Sequence, residues 1–326
     1  MNYFYLFLRL LVVILSIFLA HYADACDGRL TIAQRQNAIE GIGHAMRDTY
    51  VLPKVGESVA QEMAQKQIQG QFSHINTKRD FIKEVTELLQ SLSGDRHLSV
   101  QLVPKNGRVS HVLKEEDEKR VNNFAFEQVR ILTGNVGYIK MHKFHPDHMA
   151  KQVASEAFAF LSRSNALIVD LRDSGGGSPS LVQHIISHFV PQGTILWDLH
   201  GKGGELEARI TSYYIEGTNS FKNTPLYILT SDRVASAPEI LSYTLKHLKR
   251  AVVIGEKTAG LAHYTGAQKI NDWLFIRIPM GRPVSPITKT NWEQKGVSPH
   301  YRVDADSALD WTINYHLSSL NNNGAE

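Results

Sequence analysis

The sequence lacks the features by which several large classes of protein are recognised. Its single cysteine, Cys26, excludes an internal disulfide. Lysine and arginine number 35 against 32 aspartate and glutamate, so the chain carries no strong field of either sign. No basic run interleaved with aromatic residues is present, and we therefore expect no nucleic-acid partner. What remains is a globular composition, 43% hydrophobic and 21% charged over 326 residues, sufficient for one large or two modest domains.

The N-terminal segment differs in kind from the rest of the chain. An apolar run over residues 10–20 follows Arg9 and precedes Ala23-Asp24-Ala25, the pattern of a secretory signal with an A-x-A cleavage site. The run is shorter than the about 20 apolar residues that a membrane-crossing helix needs. We therefore predict a signal peptide over residues 1–25 and a secreted or periplasmic protein. Membrane anchoring would need an uncleaved segment or a lipid on Cys26, and the leucine usual three residues before a lipidated cysteine is missing.

Hydrophobic periodicity divides the remaining chain into a helical front part and an α/β part. Between residues 31 and 92, helical spacing predicts three helices, the middle one over residues 54–68 and the last capped by Asn76 or Thr77. Strand and helix patterns then alternate, which indicates an α/β core. We predict a helical domain over residues 26–92, a core over 93–318 and a frayed tail over 319–326. The predicted strands cover residues 98–103, 125–132, 136–141, 166–171, 226–230, 251–254 and 273–278, and the core helices cover 149–162, 181–189 and 239–248.

A small-residue elbow, Ala235-Ser236-Ala237-Pro238-Glu239, lies between a strand pattern and a helical pattern. A serine at such a turn presents its hydroxyl beside helix N-terminal amides, so Ser236 is a candidate nucleophile. Serine is also a preferred helix N-cap, and the local sequence alone favours that interpretation. Proline is tolerated in the first turn of a helix, so Pro238 is compatible with the elbow.

Three further segments carry residues of chemical interest. The glycines of residues 170–177 let the backbone approach another group closely, and their amides could line an oxyanion site or simply form a turn. His97 could act as the base for a serine, although a lone histidine among the 15 in this chain is more often structural. Glu293 could orient a histidine, or be a surface carboxylate before a turn. On local sequence alone the structural interpretation is favoured for His97 and Glu293, and neither interpretation is favoured for the glycine segment.

Taken together, these segments resemble peptidase family S41, which includes the C-terminal processing proteases, the tricorn protease core and the interphotoreceptor retinoid-binding protein repeats. The resemblance includes Gly94-Asp95-Arg96-His97 and Ser236-Ala237-Pro238-Glu239, and it runs in order along most of the chain. It implies a ClpP/crotonase-like ββα core with a small N-terminal helical bundle, which is an α/β fold. The matching segments lie at residues 94–100, 134–139, 170–177, 229–239, 255–263 and 291–299.

The resemblance also implies roles for individual residues. Ser236 matches the family nucleophile, and the amides of Ala237 and Gly176 match its oxyanion hole. His97 matches the histidine of the tricorn and retinoid-binding branch, and Glu293 lies in the segment of the catalytic glutamate of tricorn. The resemblance implies neither a metal nor a cofactor.

Several departures separate this chain from the processing proteases. Their base is a lysine about 25 residues after the serine, whereas the matching position here is Leu261. The interval between Val103 and Val136 is too short for the PDZ domain that they carry. Tricorn has a serine beside its histidine, and Arg96 occupies that place here, so the polar relay is expected to differ.

The sequence therefore predicts a secreted serine peptidase that acts on a peptide or protein substrate through an acyl-enzyme. The alternative is a non-catalytic carrier of hydrophobic ligands, since the retinoid-binding relatives use the same fold for carriage.

His263 is the rival base, although we expect it to line the cleft. The spacing of His142, His145 and His148 could suggest a metal site, but the pattern there is that of a loop, and we expect no metal.

Overall fold

A computed structural model describes residues 28–104, 122–216 and 221–323. The predicted signal peptide over residues 1–25, Cys26 and the last three residues of the predicted tail lie outside this part of the chain. Among the helices that the structure describes, none combines the length and apolarity needed to cross a membrane. The described residues form two compact units, one with residues 28–104 and Gly266–Ile278, the other with residues 122–265 and Pro279 onward.

The described elements are numbered here in chain order. The helices are α1 (Ile32–Thr49), α2 (Pro53–Ile68), α3 (Lys78–Ser93), α4 (His148–Phe160), α5 (Pro179–Ser187), α6 (Ala237–His247) and α7 (Ala308–Asn323). The strands are β1 (Ser99–Leu102), β2 (Phe126–Leu132), β3 (Val136–Met141), β4 (Ala166–Asp170), β5 (Ile195–His200), β6 (Leu206–Thr211), β7 (Leu226–Thr230), β8 (Val252–Gly255), β9 (Tyr264–Lys269), β10 (Leu274–Val284) and β11 (Tyr301–Arg302).

The first unit contains the three helices that periodicity predicted. Thr31 begins α1 with a reciprocal cap, because its hydroxyl accepts the N–H of Gln34 at 3.2 Å and the Gln34 side chain accepts the N–H of Thr31 at 3.0 Å. Thr77 caps α3, as expected, by accepting the N–H of Asp80 at 3.1 Å. The unit is larger than the predicted domain over 26–92. Strand β1 and the first part of β10 pair antiparallel and pack into the same hydrophobic core as the helices.

The second unit is built on a six-stranded sheet in the order β11-β8-β7-β4-β3-β2. All pairs from β3 to β11 are parallel, and β2 pairs antiparallel with β3. Every residue of β4 and β7 is buried, as expected for central parallel strands covered on both faces. Helices α4, α5 and α6 contribute to the core on one face, and α7 to the core on the other. The carboxyl ends of β4 and β7 therefore deliver the glycine segment and the serine elbow to the same edge of the sheet.

The sequence missed β5, β6, β9, β11 and α7. Strand β6 is largely exposed and reads Leu-Glu-Ala-Arg-Ile-Thr, which carries neither a clear apolar run nor clean alternation. Helix α7 continues past residue 318 to Asn323, so it includes the first five residues of the predicted tail. Contacts of its apolar face with the sheet stabilise this helix, and they cannot be read from local periodicity.

Two buried histidines on and after α5 make the stability of the second unit sensitive to acid. Burial lowers the pKa of His184 to about 4, and burial together with the nearby His184 ring lowers the pKa of His188 to about 3. Above the ordinary value of about 6.5 both rings are neutral in the folded and unfolded chain, so this contribution to stability is complete. As the pH falls below that value the unfolded chain takes up protons first, and stability is lost until the folded rings also titrate. We expect a loss of a few kcal/mol in the free energy of unfolding between about pH 6.5 and pH 4.

Chemical denaturation across this pH range measures the effect. His188→Leu removes one buried titrating ring and should therefore flatten the dependence of stability on pH. His148→Gln is the control, because the His148 side chain is 87% exposed, and it should leave the slope unchanged. An equal slope in wild type and His188→Leu would contradict the assignment.

Candidate active site

Ser236 occupies a strained turn between β7 and α6. Its backbone has φ +67° and ψ −120°, a region that non-glycine residues rarely adopt. Helix α6 begins at the next residue, Ala237, and Pro238 lies in its first turn, where the missing N–H costs nothing. The turn therefore places the serine at the N-terminal end of a helix, where the helix dipole favours developing negative charge.

Glu239 holds this turn from inside the protein. Its carboxylate is fully buried and accepts the N–H of Ser236 at 2.8 Å through Oε2. Oε2 also accepts the N–H of Leu261 at 2.9 Å, while Oε1 accepts the N–H of Gly260 at 2.7 Å and the hydroxyl of Thr258. Burial raises the pKa of Glu239, and the four donors oppose that rise by favouring the ionised form. This role of Glu239 was not predicted from the sequence, although the Ser-x-x-Glu spacing of a capping box is a signal for it.

The glycine segment after β4 lies directly against the serine. Gly176 has φ +125°, and a Cβ built on it would lie 3.4 Å from Ser236 Cβ and 3.8 Å from Ser236 Oγ. Within the described part of the chain, neither the Gly176 N–H nor the Ala237 N–H donates to a protein acceptor. Two amides beside one hydroxyl are the arrangement that stabilises an oxyanion.

The segment after β3 fixes this glycine loop in place. Phe144 donates its N–H to the Gly176 carbonyl at 2.9 Å and accepts the N–H of Ser178 at 2.6 Å. A Cβ on Gly177 would meet the Phe144 carbonyl oxygen at 2.1 Å, so only glycine allows the two backbones to approach this closely. The position of the Gly176 amide is thus set by backbone contacts.

A buried ion pair supports the base of the same loop. Arg172 reaches both carboxylate oxygens of Asp170, at 2.9 and 2.6 Å, and Tyr138 donates its hydroxyl to Asp170 at 2.6 Å. Burial and the carboxylate of Asp170 raise the pKa of Tyr138 well above its usual range. Arg172 thus pairs with Asp170, whereas the nearby Asp173 pairs with Arg233 at 2.8 Å. These residues position the loop and do not reach the serine.

Glu293 and His263 are neighbours in the second unit. Glu293 Oε2 accepts the N–H of Ala262 at 2.6 Å and lies 3.8 Å from His263 Nδ1. Both side chains are shielded from solvent, with 12% and 3% of their side-chain surface exposed. The predicted orienting carboxylate therefore lies beside the rival base. Leu261, which the resemblance matches to the lysine of processing proteases, donates its N–H to Glu239.

His97 lies in the first unit, between α3 and β1. Its Nδ1 is 3.1 Å from Asp95 Oδ1, and its backbone N–H donates to the same oxygen at 2.9 Å. Tyr50 donates its hydroxyl to Asp95 Oδ2 at 2.9 Å, which fixes the carboxylate. Because a carboxylate only accepts, Nδ1 carries the proton and Nε2 is the basic nitrogen of the neutral ring. This orienting role of Asp95 was not predicted from the sequence, although the residue stands in the Gly-Asp-Arg-His segment.

The three histidines at spacing three have separate partners. His142 pairs with Glu127 at 2.6 Å, His145 accepts the N–H of Asp147 at 3.2 Å, and the exposed His148 lies 3.2 Å from the Asp147 carboxylate. The three side chains therefore contact different neighbours.

The profile of peptidase family S41 matches residues 135–303, more than half of the chain. A second profile, the N-terminal domain of S41 peptidases in eukaryotic IRBP, matches residues 31–130. The fold and these two matches define the class of α/β proteins with an S41 core. The chain belongs to peptidase family S41, which confirms the resemblance seen in its motifs.

Curated relatives include C-terminal processing peptidases. Carboxyl-terminal-processing peptidase 2, chloroplastic, of Arabidopsis thaliana is 27% identical over 226 residues, 67% of this chain and 42% of the relative. The probable CtpA-like serine protease of Staphylococcus aureus is 24% identical over 231 residues, 71% of this chain and 45% of the relative. The chain thus spans less than half the length of these relatives.

Solved structures share the fold at low identity. A putative peptidase from Parabacteroides merdae has a TM-score of 0.61 at 16% identity and covers 86% of this chain and 96% of its own. The tricorn protease has a TM-score of 0.57 at 13% identity and covers 88% of this chain and 37% of its own. At these identities the likeness concerns the fold, and it confirms the predicted α/β class with a helical front part.

Proposed function

We propose that the protein is a secreted serine peptidase that cleaves peptide bonds through an acyl-enzyme with Ser236 as nucleophile. The observation that carries the proposal is the strained Ser236 backbone at the start of α6, with the Gly176 backbone against it. Membership of family S41 supports the reaction class, and the residue pattern before Cys26 supports secretion. A peptide or protein is the substrate that this chemistry requires.

In the proposed reaction, Ser236 Oγ attacks the peptide carbonyl while His97 Nε2 takes the hydroxyl proton. The Gly176 and Ala237 amides donate to the oxyanion of the tetrahedral intermediate. Collapse of this intermediate breaks the C–N bond, and His97 returns the proton to the leaving amine. Water then hydrolyses the acyl-enzyme by the same route.

Two histidines compete for the role of base, each with a carboxylate in its own unit. Asp95 at His97 Nδ1 supports His97, since this contact selects the tautomer with a basic Nε2. Glu293, the carboxylate assigned by the resemblance, is 3.8 Å from His263 Nδ1, beyond hydrogen-bond distance. We therefore propose His97 as base with Asp95 as an additional orienting carboxylate, and we retain Glu293 as the second carboxylate of the site.

Labelling with a fluorophosphonate probe tests the nucleophile and the base together. Wild type should be labelled, Ser236→Ala should not, and Ser180→Ala, a change at an exposed serine of α5, should be labelled as wild type. His97→Gln should slow labelling by about two orders of magnitude or more, and His263→Gln should slow it less. Thermal unfolding of each variant establishes that the fold is kept.

Other outcomes would reject parts of the proposal. Equal labelling of wild type and Ser236→Ala would exclude Ser236 as the nucleophile. A larger effect of His263→Gln than of His97→Gln would make His263 the base. Wild type that resists the probe and retains an apolar ligand through purification would favour the carrier function.

A further inference from the structure

A cavity of about 420 Å³ lies at the end of α6 opposite to Ser236. Its wall includes the first residues of β7 and β8 and the turn that follows α6. Four lysine and arginine side chains line it together with His300, and none of its described lining residues is an aspartate or glutamate. The basic side chains are Lys222, Lys246, Lys249 and Arg250.

These positive charges are not neutralised by carboxylates in the described part of the chain. None of the four forms an ion pair there. The hydrogen bonds of the two shielded side chains go to backbone carbonyls, and the Arg250 guanidinium also lies over the Phe189 ring at 5.5 Å. Arg250 donates to the carbonyls of Phe189, Phe221 and Thr224 at 3.0, 2.6 and 2.9 Å, and Lys246 donates to that of Ser298. Such contacts orient the side chains without cancelling their charge.

The like charges also act on the neighbouring histidine rings. Burial lowers the pKa of His247, and the positive charges of Lys246 and His300 lower it further. Burial also lowers the pKa of His300, again with a contribution from Lys246. A bound anion would relieve this repulsion.

The helix dipole explains only part of the cluster. Basic residues in the last turn of a helix interact favourably with its negative end, which accounts for Lys246. Lys222 precedes β7 and His300 precedes β11, so neither belongs to that turn. Their convergence on the cavity therefore needs a separate cause.

The lysine, arginine and histidine side chains that line the cavity act as hydrogen-bond donors toward it. Lysine and arginine have no acceptor atoms. His300 Nδ1 accepts the N–H of Val253 at 2.9 Å, so the neutral ring carries its proton on Nε2 and donates from there. A metal cation would be repelled, whereas a group with several negatively charged acceptor oxygens would be matched. The volume falls within the range typical of sites for small molecules.

We propose that this cavity binds a small polyanion that carries phosphate or sulfate groups. The site lies at the far end of α6 from Ser236, and the inference does not depend on the proposed peptidase activity.

Calorimetric titration with inorganic pyrophosphate, and in parallel with sulfate, tests the inference on the wild-type chain. We expect saturable binding of at least one of the two anions that weakens as salt is added, because screening reduces the attraction. The double variant Lys222→Gln/Lys249→Gln removes two exposed charges and should weaken binding roughly tenfold.

Lys289→Gln is the matched control. Lys289 is an exposed lysine with φ +58°, close to the φ +56° of Lys249, and it does not line the cavity. This variant should bind as wild type does. Failure of wild type to bind either anion at millimolar concentration would overturn the inference, as would equal affinities in the double variant and the control. Unfolding curves for both variants establish that the fold is unchanged.

Discussion

Alanine at position 236 is expected to lower the rate of peptide hydrolysis by about four orders of magnitude or more while leaving the fold intact. The change deletes only the hydroxyl, and alanine meets the same backbone strain at φ +67° as serine does. The remaining rate would come from binding and from the Gly176 and Ala237 amides. Turnover of a peptide library, with thermal unfolding of the same samples, measures both quantities.

Replacing Ser236 by glycine tests the backbone strain separately from the loss of the hydroxyl. Ser236→Gly also removes the hydroxyl, but glycine adopts positive φ without a steric penalty, so this variant should be more stable than Ser236→Ala by about 1 kcal/mol. Both variants should be equally inactive. Hydrolysis at the wild-type rate in either would refute the nucleophile assignment, and a glycine variant less stable than the alanine variant would refute the strain.

Replacement of Glu239 by alanine is expected to destabilise the protein by about 3–5 kcal/mol, because donors from Ser236, Gly260 and Leu261 would lose their acceptor in a buried site. Glu239→Gln should also be strongly destabilising. Each carboxylate oxygen accepts at least one backbone N–H, so an amide NH₂ in either orientation would face a donor.

Denaturant unfolding measures this loss, and Glu256→Gln supplies the control. Glu256 also accepts two backbone N–H groups, from Asp232 and Ala305, but at 3.3 and 3.4 Å and with partial exposure. Its replacement should cost less than about 1 kcal/mol. Similar losses at both positions would show that Glu239 has no special part in holding the elbow. If the folded fraction of Glu239→Gln is labelled more slowly by the fluorophosphonate probe than wild type, the hydrogen bonds to Glu239 also support the reactivity of Ser236.

The central strands were predictable because burial on both faces leaves a simple signature. Strands β3 and β7 have the predicted bounds, and both are continuous runs of mainly apolar residues. Strands β5 and β6 form an antiparallel pair with partly exposed residues and register irregularities, so their patterns are weak. Helix α7 was missed because its stability depends on contacts with the sheet.

The residues of the candidate site also differ in whether they could be predicted from the sequence. The elbow at Ser236 and the glycine segment are each local in sequence, and their residue types alone indicated their chemistry. The role of Asp95 was missed although it stands two residues from His97, since an i, i+2 contact depends on the turn between α3 and β1. Glu239 was missed because its donors other than Ser236 lie 19–22 residues further along the chain.

Residue order alone establishes that this chain has no internal disulfide and that it carries segments resembling family S41. That resemblance implies that Leu261 stands where the processing proteases have a lysine base. Tertiary packing decides the positive φ of Ser236, the approach of Gly176 across 60 residues of sequence, and the convergence of donors on Glu239. The physical reason is that parallel strand order brings the ends of β4 and β7 to one edge of the sheet. Contacts made there join segments whose sequences carry no information about each other.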